Sequence, residues 1–396
     1  MSSFHVASSE EIKRCGTTDV YFVRAKRILE NIGLEKTKVV AEVTLGHFPE
    51  NWAWGILCGI EELATLLEKT PIDVYSMPEG TAFYPSGHRG FRVPIVRIEG
   101  AYRDFCLYET PLLGVLCQAT GIATRAARMR IVAEDKRLIS FGIRRMHPAL
   151  SPMIDRAAFI GGFDAVSCIA GARATDTKPV GTMPHALIIV IGDQVKAWKT
   201  FDSEIQKEIP RVALIDTYSD EKTEALMAIN AVKDLDAVRL DTPSSRKGDF
   251  LEVVREVRWE LDLRGCKHVK IFVSGGLDEK SVKQLSEAGA DAFGVGTYVS
   301  NSPTVNFALD IVEKEGKPCA KRGKLGGRKE VWRCPTCMLD LVLPYVSSPP
   351  ICPRCKHRME RMLKPLIKKG RVVRRLLRPK EIRKNVLRQL EKLCVE

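Results

Sequence analysis

The stretch Lys178-Pro179-Val180-Gly181-Thr182-Met183-Pro184-His185 sets a cation, a glycine, a hydroxyl and an imidazole just ahead of an apolar run at 186–191. Glycine permits an unusual backbone angle, Thr182 is a good helix N-cap and Pro184 suits a first helical turn, so the spacing predicts His185 at a helix N-terminus. Backbone N–H groups gather there and favour anions, which with Lys178 upstream suits the handling of phosphate. A plainer reading, in which His185 only hydrogen-bonds its loop, stays open. Further stretches carry related chemistry: Phe141-Gly142-Ile143-Arg144-Arg145, Asp216-Thr217-Tyr218, Arg239-Leu240-Asp241-Thr242, Ser274-Gly275-Gly276 and Gly294-Val295-Gly296-Thr297. Arginine, carboxylate and glycine together are what a substrate with phosphates and sugar hydroxyls requires.

These stretches fall at the ends of short apolar runs. From residue 138 such runs alternate with helical patterns: 138–143 then 152–160, 165–168, 212–215 then 222–233, 237–240 then 249–261, 269–273 then 279–288, and 292–295. Repeated β-then-α units of this length mean parallel strands with crossover helices, and six in series favour an α/β barrel over an open sheet. In a barrel, chemistry sits where strands end. Two successive glycine loops after the final strands are then a phosphate cradle. Residues 1–110 read instead as α+β, with helices at 19–29 and 55–67 and strands at 39–45, 72–75, 81–84 and 94–98; a long helix follows at 111–133. The expected division is an N-terminal α+β domain (1–115), an irregular TIM-like α/β barrel (116–315) and a small C-terminal zinc-binding domain with a basic helical tail (316–396).

The 396 residues have an ordinary globular composition, and no apolar stretch is long enough for a membrane span. Residues 1–15 carry charges where a signal peptide needs an apolar run, so a cytoplasmic protein is expected. Most of the net charge of +13 is local. Fifteen Lys/Arg against four Glu put +11 in residues 356–396. The body therefore does not owe its charge to wrapping nucleic acid. Of twelve cysteines, eight (Cys15, Cys58, Cys106, Cys117, Cys168, Cys266, Cys319 and Cys394) follow no spacing rule and read as free thiols, mostly in the core. Cys334-Pro-Thr-Cys337 and Cys352-Pro-Arg-Cys355 are two C-x-x-C knuckles fourteen residues apart. Two such turns build a tetrahedral S4 site that selects structural zinc and leaves no position open for catalysis, with His357 surplus.

The motifs around Phe141, Gly181–Leu187, Asp216, Val238–Arg246, Val273–Asp278 and Phe293–Thr297, in this order, resemble nicotinate phosphoribosyltransferases in their short archaeal form. The resemblance covers residues 19 to about 301. It implies condensation of nicotinate with phosphoribosyl pyrophosphate to nicotinate mononucleotide and pyrophosphate in NAD salvage, and a homodimer or larger assembly with shared sites. It implies that Phe141 stacks on the pyridine ring from below and Tyr21 of the second copy from above. It implies too that His185 lies near the pyrophosphate with Asp216 orienting its ring, and that the loops Ser274, Gly275, Gly276 and Gly294, Gly296, Thr297 take the 5′-phosphate. Asp241 suits ribose hydroxyls or Mg2+, and Arg239, Arg144 and Arg145 offer forks for phosphate or the nicotinate carboxylate. In related enzymes the corresponding histidine is phosphorylated by ATP; His185 with an aspartate partner fits that role and simple charge stabilisation alike. Thr175-Asp176-Thr177 faintly resembles a segment of the nicotinamide enzymes, but Lys178 favours a carboxylate substrate. Quinolinate phosphoribosyltransferase, a further relative, needs a denser cationic pocket. The competing class is a zinc-ribbon protein that binds nucleic acid on a non-catalytic barrel, with Trp332, Tyr345 and the tail as its contacts. Against it, the tail reads as a helix at 379–393 with Ile382, Val386, Leu390 and Leu393 buried and the zinc module packed on the barrel.

Overall fold

A computed structural model describes residues 4–246, 248–345 and 348–393. They form two compact units, one of residues 4–124 with 303–392 and one of residues 125–302 with Leu393. This differs from three consecutive domains bounded at 115 and 315, because the C-terminal stretch returns to complete the N-terminal sheet.

That sheet has seven strands in the order Lys317–Pro318, Phe307–Lys314, Lys38–Leu45, Val96–Ala101, Asp73–Ser76, Lys364–Lys368 and Arg371–Val372, with every neighbour antiparallel. Lys38–Leu45 carries three valines, and every residue after Lys38 is buried. Such a strand belongs at the centre of a sheet. The helix expected at 55–67 is shorter, Ile60–Leu67, because Gly55–Ile56 pairs as a strand with Ala82–Phe83. Leu363, Leu366 and Ile367 enter the same core as Val74, Ile98 and Leu63, with Val331 beside them.

Around the cysteine knuckles, Lys329–Arg333, Asp340–Pro344 and Glu360–Arg361 make a three-stranded sheet. It is fastened within the first unit, where the expectation placed it on the barrel: Arg333 Nη1 donates to Ala82 O at 2.6 Å and His88 N to Asp340 O at 2.7 Å. The tail helix, Pro379–Leu390, buries Ile382, Val386 and Leu390 as its period predicts, and Leu393 is buried too. Its Gln389 donates to Gly80 O at 2.8 Å and accepts from Ala82 N at 2.9 Å. Deletion of residues 331–396 strips five buried aliphatic side chains (Val331, Val342, Leu363, Leu366 and Ile367) from the core of the seven-stranded sheet, besides those of the tail helix, each worth about 1.5–3 kcal/mol, against a total stability of about 5–15 kcal/mol. The truncated chain is expected to be insoluble or to lose its cooperative thermal transition; a melt within a few degrees of the full chain would contradict this packing.

The second unit holds a six-stranded, wholly parallel sheet in the order Ala165–Val166, Arg137–Ser140, Ala292–Val295, Lys270–Ser274, Ala237–Leu240 and Val212–Leu214. Helices Ser151–Gly161, Glu221–Ala231, Phe250–Leu263 and Glu279–Glu287 make crossovers. Aspartates start four helices of this unit: Asp193 accepts from Lys196 N, Asp220 from Thr223 N, Asp249 from Glu252 N and Asp278 from Ser281 N. Among the described residues the outer strands Ala165–Val166 and Val212–Leu214 are not bonded to each other, so backbone pairing leaves the sheet open. One cluster nevertheless takes a side chain from all six strands: Ile139, Ala165, Val212, Ala237, Phe272 and Ala292.

Beneath the strand Arg137–Ser140, Asp155 is wholly buried and accepts from Ser140 Oγ at 2.7 Å. Burial pushes its carboxyl up to about 6, against the ordinary 3.8. The folded state therefore holds this proton more tightly than the unfolded chain, so stability falls as pH rises from 3.8 to about 6 and the loss is complete above that. Asp155→Asn is expected to gain on the wild type by up to about 3 kcal/mol between pH 4 and pH 7 in denaturant melts. A difference that stays flat with pH would remove the assignment.

No helix among the described residues is long and apolar enough to cross a membrane. Of the scattered cysteines only Cys58 and Cys106 are fully buried; Cys15, Cys117, Cys168 and Cys266 are half-buried and Cys319 is exposed. These thiols are thus less a core feature than their number predicts. Cys394 lies outside the described residues.

Candidate active site

Five of the chemistry-bearing stretches converge at the C-terminal ends of the parallel strands. The register explains this: Leu214 pairs with Arg239, Arg239 with Phe272, Ser274 with Gly294, and Val295 with Ser140. The residue following each strand therefore emerges on one rim, where α/β sheets bind ligands.

His185 is the first residue of the helix His185–Ile191, as the sequence predicts, but by different means. Pro184 occupies the N-cap position, and the hydroxyl of Thr182 accepts from Arg239 Nη1 at 2.6 Å instead of capping. Gly181 does not use a left-handed angle; it is exposed, with open space where a side chain would stand. His185 Nδ1 lies 3.1 Å from Thr217 Oγ1, and Nε2 lies 3.5 Å from Asp216 Oδ1 and 4.0 Å from Asp241 Oδ2. The imidazole is thus gripped on one nitrogen by a hydroxyl and faced on the other by two carboxylates.

The side chain of Asp216 is only 3% exposed. Its Oδ2 accepts from the Asp241 N–H and lies 3.1 Å from Thr242 Oγ1, while Oδ1 is buried without a hydrogen-bond partner and faces the imidazole. Burial raises its carboxyl above the ordinary value, with the Asp241 N–H and His185 pulling the other way. Asp241 accepts from Ser274 Oγ at 2.7 Å and sits 3.3 Å from Arg239 Nη2. Arg239 also donates from Nε to Ser274 Oγ at 3.0 Å. Its guanidinium stands 5.3 Å from the Phe141 ring centre and 5.8 Å from that of Phe272. Burial lowers the Arg239 pKa, opposed by Asp241 and Asp216.

Gly275 and Gly276 follow one another in the left-handed region, at φ +91° and +68°. A side chain on Gly275 would press on Asp241 Oδ1 at 3.3 Å, whereas Gly276 opens onto empty space. Glycine turns of this kind at strand ends are a common setting for backbone groups that bind anions. Gly294 has another reason to be glycine: a Cβ there would stand 2.5 Å from the Phe141 ring, so its absence gives the ring its seat. Gly296 caps the short helix Thr297–Ser300. Arg144 and Arg145 end a 3-10 turn, Ile143–Arg145, and are exposed, as is Lys178. Arg144 is near enough to Arg239 to weaken its hold on the proton. Tyr21 belongs to the first unit, on the helix Val20–Asn31, and is 57% exposed.

Glu224 is a residue that sequence reasoning missed. It lies in the first turn of Glu221–Ala231 and turns back to accept from Thr217 N at 3.0 Å and from Tyr218 N and Ser219 N at 2.7 Å each. An acid in a first helical turn is common on any surface helix, so the sequence carried no distinguishing signal.

In the first unit the sulfurs of Cys334, Cys337, Cys352 and Cys355 lie within 4.8 Å of one another, so the four could hold a metal ion. His357 Nδ1 stands 3.4 Å from Cys355 Sγ and is not one of the four.

The chain matches the N-terminal domain of quinolinate phosphoribosyl transferase over residues 19–120 and the C-terminal domain over residues 122–310. It is 31% identical over 318 residues to a nicotinate phosphoribosyltransferase of Mycobacterium tuberculosis, spanning 76% of this chain and 68% of that protein. The chain belongs to the nicotinate phosphoribosyltransferase family. Among solved structures it is similar to the nicotinate-nucleotide pyrophosphorylase of Pyrococcus furiosus, at 54% identity and a TM-score of 0.95 over the whole of both chains. Human nicotinic acid phosphoribosyltransferase shares the fold of this family member at 19% identity, with a TM-score of 0.73 over 95% of this chain and 94% of that one.

Proposed function

We infer that the chain is a nicotinate phosphoribosyltransferase, joining nicotinate to phosphoribosyl pyrophosphate and releasing pyrophosphate and nicotinate mononucleotide in NAD salvage. The observation that carries this is the placement of His185, Asp216, Asp241 and Arg239 on one strand-end rim with the Gly275–Gly276 turn. Breaking the bond from the anomeric carbon to pyrophosphate leaves positive charge on the sugar and negative charge on the leaving group, so such a site needs fixed groups of both signs. Asp241, with one edge open, suits the ribose hydroxyls and the cationic sugar. His185 suits the pyrophosphate, with Thr217 and Asp216 fixing its ring. The Ser274–Gly276 and Gly294–Thr297 turns suit the 5′-phosphate, and Phe141 with Arg239, Arg144 and Arg145 suits an aromatic acid.

Asp216 and Asp241 are fit to hold Mg2+, since the buried Oδ1 of Asp216, without a hydrogen-bond partner, and Oδ2 of the partly exposed Asp241 both face His185 Nε2. The ion supplies positive charge to the pyrophosphate oxygens when bound. Tyr21 would close the base pocket of a second copy in a homodimer or a larger assembly. Its helix supports this by exposing Val20, Tyr21, Val23 and Ile28 together. The six-strand cluster supports reading the parallel sheet as the wall of an irregular barrel. The seven described cysteines outside the C-x-x-C pairs are free thiols, which suits the cytoplasm.

We assign structural zinc to the four cysteines. Sulfur separations of 3.1, 3.7 and 3.7 Å approach the roughly 3.8 Å edge of a tetrahedron with Zn–S bonds of about 2.3 Å. Elemental analysis is expected to give one zinc per chain, and chelation to lower the melting temperature by several degrees. Purified protein that is free of metal yet melts at the same temperature would rule the site out. A basic tail docked by its apolar face supports a supporting role for the appendage over nucleic-acid binding.

The test is pyrophosphate release with nicotinate, nicotinamide and quinolinate in turn, each with and without ATP. Nicotinate should be the base consumed, and the ATP arms show whether His185 couples a phosphoryl group to turnover. Release with quinolinate alone, accompanied by carbon dioxide, would move the chain to the reaction named by the matched domain models. Silence with all three would remove the transferase reading.

A further inference from the structure

We propose that Glu224 is a positioning residue, which through the backbone of Thr217, Tyr218 and Ser219 holds Thr217 and Asp216 against the His185 imidazole. The proposal rests on the functional reading above and concerns a group that touches no substrate. Glu224 is 1% exposed, and its described contacts are donors: the three successive N–H groups of the loop and the side-chain amide of Gln194. Gln194 is itself buried and anchored by a 3.1 Å bond to Leu214 O, the last residue of the strand that leads into Asp216. The neighbouring Trp198 donates to the same carbonyl at 3.1 Å. A buried carboxylate is therefore clamped between a rigid strand end and a loop lacking regular structure of its own.

The consequence for the site follows from the chain's connectivity. Asp216 and Thr217 are adjacent and grip the imidazole from its two nitrogens. With the three following amides fixed to one carboxylate, both side chains are launched from a backbone with little freedom to turn. The Asp216 carboxylate facing Nε2 favours a proton on that nitrogen, while the Thr217 hydroxyl can serve Nδ1 as donor or acceptor. Asp220 helps by capping the helix that carries Glu224, through Thr223 N at 2.9 Å. Yet Asp220 bonds the helix, and only Glu224 reaches back to the loop through all three amides.

Glu224→Gln keeps the shape but offers one acceptor oxygen where two now serve three loop amides, and it turns an NH2 toward donors. Loosening of the pair by a fraction of an ångström is expected to reduce kcat by about 10- to 100-fold. The KM for nicotinate should stay within about twofold, because no base contact is changed. The ring-nitrogen resonances of His185, assigned by comparison with a His185→Gln variant, should shift in Glu224→Gln. Glu224→Asp, which retains the charge, should recover part of kcat. A purely structural role predicts a lower melting temperature with unchanged kcat in the folded fraction and unmoved His185 resonances, and that result would overturn the proposal. If Glu224→Gln does not fold, Glu224→Asp is judged by the same two readouts. Wild-type protein inert with nicotinate would defeat the functional reading instead, and the His185 resonances would still decide the role of Glu224.

Discussion

Asp241→Ala is expected to lower kcat by about 100- to 1000-fold while leaving the fold intact. Three things are lost at once. The carboxylate balances Arg239 at 3.3 Å, accepts from Ser274 at 2.7 Å and faces His185 at 4.0 Å. It is also the acid best exposed to the rim, whereas Asp216 lies deeper and is nearly inaccessible. The fold should survive because the structural bond at this position, from the Asp241 N–H to Asp216, belongs to the backbone. Turnover within threefold of the wild type, in protein with an unchanged melt, would remove Asp241 from the chemistry.

Arg239→Ala should be as damaging to kcat/KM, by about 1000-fold, through binding as well as rate. Its guanidinium joins Thr182, Ser274 and Asp241 and covers the Phe141 face, so one substitution opens the base pocket and leaves Asp241 without its counter-ion. Arg239→Lys should recover little. One ammonium cannot reproduce a planar fork directed to three partners. A KM for nicotinate unchanged in both variants would mean that Arg239 does not shape the base pocket.

Much of the second unit is legible from the chain alone because its strands are short buried runs separated by helices of regular period. The rim residues are the ones that break those runs: Arg239 inside an apolar strand and the acids of Asp216 and Asp241 just beyond one. The origin of the glycines is less legible. Gly275 and Gly276 need left-handed angles, but Gly294 makes room for Phe141, and a one-letter pattern does not separate the two reasons. The C-terminal stretch misleads for another reason. Strand Lys364–Lys368 is charged at its ends, yet it pairs with Asp73–Ser76 nearly three hundred residues earlier, a long-range contact with no local signature. Glu224 escapes notice similarly, since its partners are backbone amides, which every residue supplies.

Soaking crystals of the protein with phosphoribosyl pyrophosphate tests the central claim most directly, namely that the strand-end rim of the second unit holds an activated sugar with phosphate at both ends. The account predicts the 5′-phosphate in the turn at Gly275–Gly276, the ribose hydroxyls within hydrogen-bond reach of Asp241 and the pyrophosphate beside His185. An ordered sugar phosphate bound away from all three would contradict it.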